Sequence, residues 1–149
     1  MYCTAADVRE LIKDDLINTL IGNEYRDDEA DQETLLAPLL ERAVEDAAAE
    51  IDGYLARRYP VPLVRVPKII AKYANDIAVY NLVSRIGVGT EADRENNYLE
   101  RYRHAIKFLQ AIAAGTVSLG LETPSAQAAT GFQMTSPPRL FSRDSLQGM

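Results

Sequence analysis

Leu36-Ala37-Pro38-Leu39-Leu40-Glu41-Arg42-Ala43-Val44-Glu45-Asp46-Ala47-Ala48-Ala49-Glu50-Ile51-Asp52-Gly53-Tyr54-Leu55 repeats its apolar side chains in steps of three and four. Leu36, Leu40, Ala43, Ala47, Ile51, Tyr54 and Leu55 therefore fall on one stripe, which is the pattern of a helix with one face in a core. Alanines at 43 and 47–49 raise helix propensity and permit close helix contact. The spacing predicts a long helix over about 35–58. Pro38 fits it only near the start, where backbone donors are unpaired anyway.

Beyond this helix, Pro60, Pro62 and Pro67 punctuate Tyr59-Pro60-Val61-Pro62-Leu63-Val64-Arg65-Val66-Pro67. Proline removes donors and forces extended geometry, so we expect a rigid connector with a short edge strand at 63–66. Helical spacing returns over about 68–86, with Ile69, Ile70, Tyr73, Ala74, Ile77, Tyr80 and Leu82. Gly87-Val88-Gly89-Thr90 breaks it, and a further helix over about 91–114 carries Tyr98, Leu99, Tyr102, Ile106, Leu109 and Ile112. Gly115 stands where a left-handed cap belongs.

Upstream, Thr4 and Asp7 resemble a helix start, followed by Val8, Leu11 and Ile12 at helical spacing. Asp14 and Asp15 then serve as caps for a second short helix with Leu16, Ile17, Leu20 and Ile21, stopped by Gly22 and Asn23. Residues 24–33 read as an acidic loop. The fold class is all-α, a bundle of about four to five helices with a Pro-rich connector and an extended C-terminal arm. The stripes at 36–55 and 98–112 should pack against the 69–82 helix.

A polar linker at 120–138, rich in Gly, Pro, Ser, Thr, Ala and Gln, has too little apolar surface for a core. The chain then ends on Arg139-Leu140-Phe141-Ser142-Arg143-Asp144-Ser145-Leu146-Gln147-Gly148-Met149, where apolar anchors return. This plan predicts a bundle domain at 1–119 and a linker with a docking arm at 120–149. Arg139, Leu140, Phe141, Arg143, Asp144, Leu146 and Met149 are the candidate partner-binding residues.

With 149 residues and 47% hydrophobic content, the chain is large enough for one modest core. No apolar run reaches membrane-spanning length, and the start lacks the pattern of a secretory signal, so a cytoplasmic chain is expected. The net charge of −6 argues against a duplex-binding protein. Its distribution is uneven. Residues 1–52 hold 15 acidic and 4 basic side chains (−11), whereas residues 53–149 hold 7 acidic and 12 basic (+5). Such a chain is suited to meeting a copy of itself head to tail.

A search for chemistry ends without a site. His104, the single histidine, lies mid-helix with no serine motif to serve and reads as a surface or packing residue. Cys3 is the single cysteine, which excludes an internal disulfide and a thiolate metal site. Asp27, Glu29 and Asp31 alternate as calcium ligands do. However, the loop glycine is replaced by Gln32 and the terminal glutamate by Pro38, so a solvated loop or a landing site for a basic partner is the better reading. Gly87-Val88-Gly89 follows a helix and is a turn, not a phosphate cradle. We expect no enzyme activity, no cofactor and no metal. Arg57, Arg58 and Arg65 surround the connector, and interfacial ion pairs are their commoner use. Tyr54, Tyr73, Tyr98 and Tyr102 lie on the stripes and should be core, while Tyr25 and Tyr59 lie off them as interface anchors. The interface candidates are thus Arg57, Arg58, Tyr59 and Arg65.

Several stretches resemble a family of small proteins from Mu-like phages and prophages. They are Met1-Tyr2-Cys3-Thr4-Ala5-Ala6-Asp7, Ala48-Ala49-Glu50-Ile51-Asp52-Gly53-Tyr54-Leu55-Ala56-Arg57-Arg58-Tyr59-Pro60-Val61-Pro62-Leu63, Gly115-Thr116-Val117-Ser118-Leu119-Gly120-Leu121, and Phe141-Ser142-Arg143-Asp144-Ser145-Leu146-Gln147-Gly148-Met149. The resemblance implies a structural head–tail adaptor in the neck of the virion, a ring below the portal. Its partners would be further copies of itself, the portal protein and a tail-side stopper or tail terminator, with genomic DNA passing through unbound. The alternative is a DNA-binding regulator that uses residues 4–21 as a helix-turn-helix. The net −2 of that segment, from Asp7, Glu10, Asp14 and Asp15 against Arg9 and Lys13, opposes it.

Overall fold

Five helices and the loops between them account for the described residues 1–21, 29–85 and 92–121 of the computed structural model, side chains being described outside 29–31 and 92–96. They are α1 (Ala5–Leu11), α2 (Asp14–Leu20), α3 (Glu29–Leu55), α4 (Lys68–Val83) and α5 (Ala92–Ala114). The all-α bundle expected from the periodicity is the fold observed.

α4 is the central element. It packs on α3 and on α5, and α1 and α2 both reach it as well. Ile70, Ala74, Ile77, Ala78 and Leu82 are completely buried, as a helix covered on most sides requires. α3 contributes Leu36, Leu40, Ala43, Ala47, Ile51 and Leu55 to the same core, and α5 contributes Ala105, Leu109 and Ile112. Each buried Leu or Ile stabilises the bundle by about 1.5–3 kcal/mol relative to an exposed one. The small side chains Ala43, Ala47, Ala74, Ala78 and Ala105 let the three long helices approach closely.

The caps follow local chemistry. Thr4 Oγ1 accepts from Asp7 N at 3.2 Å and Asp7 Oδ2 accepts from Thr4 N at 3.0 Å, a reciprocal cap that starts α1. Gly115 ends α5 at φ +87°. Thr116 N reaches back to Ala111 O and Gly115 N to Ile112 O, both at 3.0 Å, which satisfies the last carbonyls in the manner expected of a left-handed glycine.

Four expectations need correction. α3 begins at Glu29, so Pro38 lies inside the helix and not at its start, and residues 29–33 are helical and not loop. Acidic residues in a first turn are stabilised by the positive end of the helix dipole, which favours nucleation there. Pro38 itself is exposed, so its ring disturbs only the solvent side. With Glu29 and Asp31 on helical backbone, the loop geometry of a calcium site is lost. No strand forms at 63–66. Pro62 and Pro67 lack donors, and the Leu63 amide is used by a side chain instead. The Val61–Pro62 peptide is cis. At α2 the cap position is Lys13, and Asp14 and Asp15 occupy the first turn. Finally, α4 ends at Val83, three residues before the expected boundary.

Helix lengths set the shape. At 1.5 Å per residue, α3 is about 40 Å long and α4 about 24 Å. The two are antiparallel neighbours, and Arg85 Nη2 meets Asp46 Oδ2 at 3.6 Å just past the end of α4. The first half of α3 therefore runs on beyond α4.

Candidate functional site at the connector end

Two tyrosines build this end of the bundle. Tyr2 is buried before α1, and its hydroxyl donates to Asp52 Oδ1 near the end of α3. The Tyr2 hydroxyl oxygen in turn accepts from Leu63 N at 3.1 Å. One side chain thus ties the N-terminus, α3 and the connector together. Tyr59, just after α3, is only 3% exposed. Its hydroxyl accepts from Leu119 N at 3.0 Å and lies 3.5 Å from Ser118 Oγ. The expectation that Tyr59 anchors an interface is therefore corrected: it is a core residue that pins the segment after α5. Arg58 lies directly over Gly115, where a Cβ would collide with its guanidinium. Residues 117, 119 and 121 are half-buried against the core. The end of the described segment after α5 consequently lies beside the proline connector.

What this end offers outward is basic and partly apolar. Arg57, Arg65 and Lys68 are exposed and Arg58 is half-buried, and none has an ion pair to a described residue. Val64 is fully exposed, and Ile69 is 37% exposed. Three of the four proposed ring-interface residues, Arg57, Arg58 and Arg65, share this surface. Tyr25 and the candidate arm residues Arg139, Leu140, Phe141, Arg143, Asp144, Leu146 and Met149 lie outside the described residues.

One polar feature was missed in the sequence. Asp76 on α4 is 3% exposed, amid apolar neighbours. Arg101 of α5 donates to its Oδ1, and Lys72 Nζ lies 3.5 Å from its Oδ2. Nearby, Tyr102 donates to Glu50 Oε1 at 2.9 Å and stacks on Tyr80 with ring centroids 4.3 Å apart. Tyr73 meets Phe108 at 5.0 Å. These contacts fix the register of α5 against α3 and α4. The stripe tyrosines Tyr54, Tyr73, Tyr98 and Tyr102 are half-buried and pack on the core.

Burial raises the pKa values of three groups. Desolvation, then the bond to Asp52, pushes the Tyr2 phenol up to about 12. Desolvation, then the bond to Glu50, does the same for Tyr102, also to about 12. A phenol raised on folding stays protonated while the unfolded chain ionises, so its stabilisation is intact below about pH 10 and is lost as pH rises toward 12. Absorbance titration should thus show Tyr2 and Tyr102 ionising late, at the pH where helix is lost. Tyr2→Phe should remove one of these late transitions. Tyrosine absorbance already complete near pH 10 in a still-helical protein would contradict this.

Cys3 is buried, and desolvation first, then Asp7, pushes its thiol up to about 11. Two units above the ordinary value means roughly a hundredfold less thiolate at pH 8. Alkylation by iodoacetamide should therefore be at least about a hundredfold slower in the native protein than in denaturant. Equal rates would show that Cys3 is open to solvent.

Nothing in α1 and α2 supports a helix-turn-helix reader. The seven residues of α2 include no base, and exposed Asp14 and Asp15 lead it. Among the described residues, no helix is long and apolar enough to cross a membrane.

A family model described as Bacteriophage Mu, Gp36 matches residues 2–136, which covers all five helices and the connector. The chain belongs to this family. The Mu-like prophage FluMu protein gp36 of Haemophilus influenzae is 32% identical over 111 residues, covering 73% of this chain and 74% of that protein. Gene product J of Escherichia phage Mu is 31% identical over 106 residues, 69% of this chain and 70% of its own. The Gp36 match stops at residue 136, so the terminal stretch 141–149 lies outside it.

Proposed function

We propose that the protein is a non-enzymatic head–tail adaptor, a subunit of a ring that sits below the portal in the neck of a Mu-like virion. Membership of the Gp36 family supplies the phage context. The observation that carries the reading is the separation of exposed charge. Glu41 and Glu45 face outward on α3 and Arg57, Arg65 and Lys68 at the connector end, none with an ion pair to a described residue. Opposite charges on different surfaces of one bundle can pair across a heterologous contact, and such contacts close into rings when the rotation permits, here about twelve copies to match a portal. Exposed ion pairs are individually weak, so apolar burial supplies much of the affinity and the isolated subunit can be monomeric at low concentration.

The remaining partners are the portal protein on one side and a stopper or tail terminator on the other. Genomic DNA passes through without specific binding. A lumen that gripped phosphates would slow packaging and ejection, so its surface is acidic or neutral, with Arg57 and Arg58 turned into interfaces. Electron microscopy of purified necks tests the reading. The expected image is a ring of this chain between portal and tail, with neighbouring copies in contact. Absence of the chain from virions, copies that do not touch, or a continuous arginine ring facing the channel would overturn it.

A further inference from the structure

Four exposed residues at the connector and four on α3 carry the same order with opposite charge. Along the connector and into α4 they are Val64, Arg65, Lys68 and Ile69: apolar, cation, cation, apolar. Along the outer face of α3 they are Pro38, Glu41, Glu45 and Ala49: apolar, anion, anion, apolar, with the exposed Arg42 beside them leaving the face a net single negative charge. Steps of three, four and four keep the second row on one helix face, about 16 Å from end to end. Neither row is used inside the subunit, since Arg65, Lys68, Glu41 and Glu45 have no ion pair to any described residue. The two rows cannot meet within one chain. Glu41 lies on the part of α3 that runs on past the end of α4, while Lys68 and Ile69 begin α4 at its other end.

We infer that the Val64–Ile69 knuckle of one copy docks on the Pro38–Ala49 row of a second copy, with Arg65 and Lys68 opposite Glu41 and Glu45. This rests on the ring reading above and gives it a specific contact. Val64 supplies the apolar centre, for a side chain wholly in water at the tip of a rigid proline connector is preorganised for burial. The four charges form a rim that fixes register and excludes a symmetric pairing of like with like. The partner is this same chain, in a head-to-tail arrangement.

A charge-swap mixture tests it on the full-length protein. Variant one carries Arg65→Glu and Lys68→Glu; variant two carries Glu41→Lys and Glu45→Lys. All four positions are exposed, so helix content and melting should stay those of the wild type. Self-association is read by sedimentation velocity up to millimolar concentration. Each variant alone should associate at least tenfold more weakly than the wild type, because like charges now face each other. Mixed one to one, both kinds of contact are again complementary, and association should return with the two variants alternating. Wild-type protein that stays monomeric at millimolar concentration overturns the proposal, as do single variants that associate normally or a mixture that does not recover. Duplex binding lost with Lys68→Glu, without self-association, overturns it in favour of a nucleic-acid surface. Should variant one still enter necks as the wild type does, the knuckle contact fails while the neck reading stands.

Discussion

Replacing Arg101 by alanine should lower the unfolding free energy by about 3 kcal/mol, the largest single-residue loss we expect outside the aliphatic core. The reason lies in what it leaves behind. The Asp76 side chain is 1% exposed, and Arg101 is the partner within hydrogen-bonding geometry, while Lys72 lies 3.5 Å away on the carboxylate's other oxygen. Removing one member of a buried pair costs roughly 3–5 kcal/mol, because the remaining charge keeps its desolvation and loses its compensation. The lower end applies here, since the Arg101 side chain is 39% exposed and Lys72 stays nearby. For a chain of this size the midpoint of thermal unfolding should fall by about 10 °C. Asp76→Leu with Arg101→Leu removes both charges and should lie within about 1–2 kcal/mol of the wild type. Denaturant unfolding of the two variants checks the difference. If Arg101→Ala costs less than about 1 kcal/mol, the pair behaves as a surface bridge and α5 is held by packing alone.

That pair also shows where reading the sequence stops. Apolar residues at intervals of three and four located α3, α4 and α5 because a buried helix face must repeat with the helix. Gly115 was legible because few residues but glycine hold a φ of +87° beneath an arginine. Asp76 was not. An acid between Asn75 and Ile77 has the look of a stripe's wet edge, and its partner is 25 residues away on another helix. Tyr59 was misplaced for a related reason. It lies past the end of α3, where helical period no longer says which way a side chain turns, and its partners Ser118 and Leu119 follow a different helix. The start of α3 was hidden because Pro38 and an acidic run both suggest loop, although acids favour a helix N-terminus and an exposed proline is carried inside this helix on its solvent side. Of the candidate site, Arg57, Arg58 and Arg65 were legible as a basic group. Tyr2, which braces that end through Asp52 and Leu63, left no signal beyond its place before a capped helix.

Deleting residues 139–149 should leave the bundle as stable as the full chain and abolish its attachment to portal-bearing heads. The first half of this expectation follows from the packing. Among the described residues the buried cluster ends with Ile112, padded by Val117, Leu119 and Leu121, and Tyr59 with Arg58 holds the segment after α5 in place. The described residues thus supply a core with side chains from all five helices. The second half follows from composition. Leu140, Phe141, Leu146 and Met149 bring back apolar surface after a polar linker, and Arg139, Arg143 and Asp144 flank them with groups able to fix register by charged hydrogen bonds. Burying four such side chains on a partner returns about 6–12 kcal/mol. Holding eleven residues in one conformation costs on the order of 10–20 kcal/mol of backbone entropy, less any order present beforehand. Side chains alone do not close that gap, so the partner must also pair with the backbone, as an added strand or a short docked helix does. Co-sedimentation with portal-bearing heads and thermal melting of the same truncated protein separate the alternatives. A truncated chain that binds heads as well as the full one rules out the docking arm read from the sequence. A truncated chain that melts several degrees lower would mean instead that the terminus packs on its own bundle, and the portal would then have to be met by the connector end.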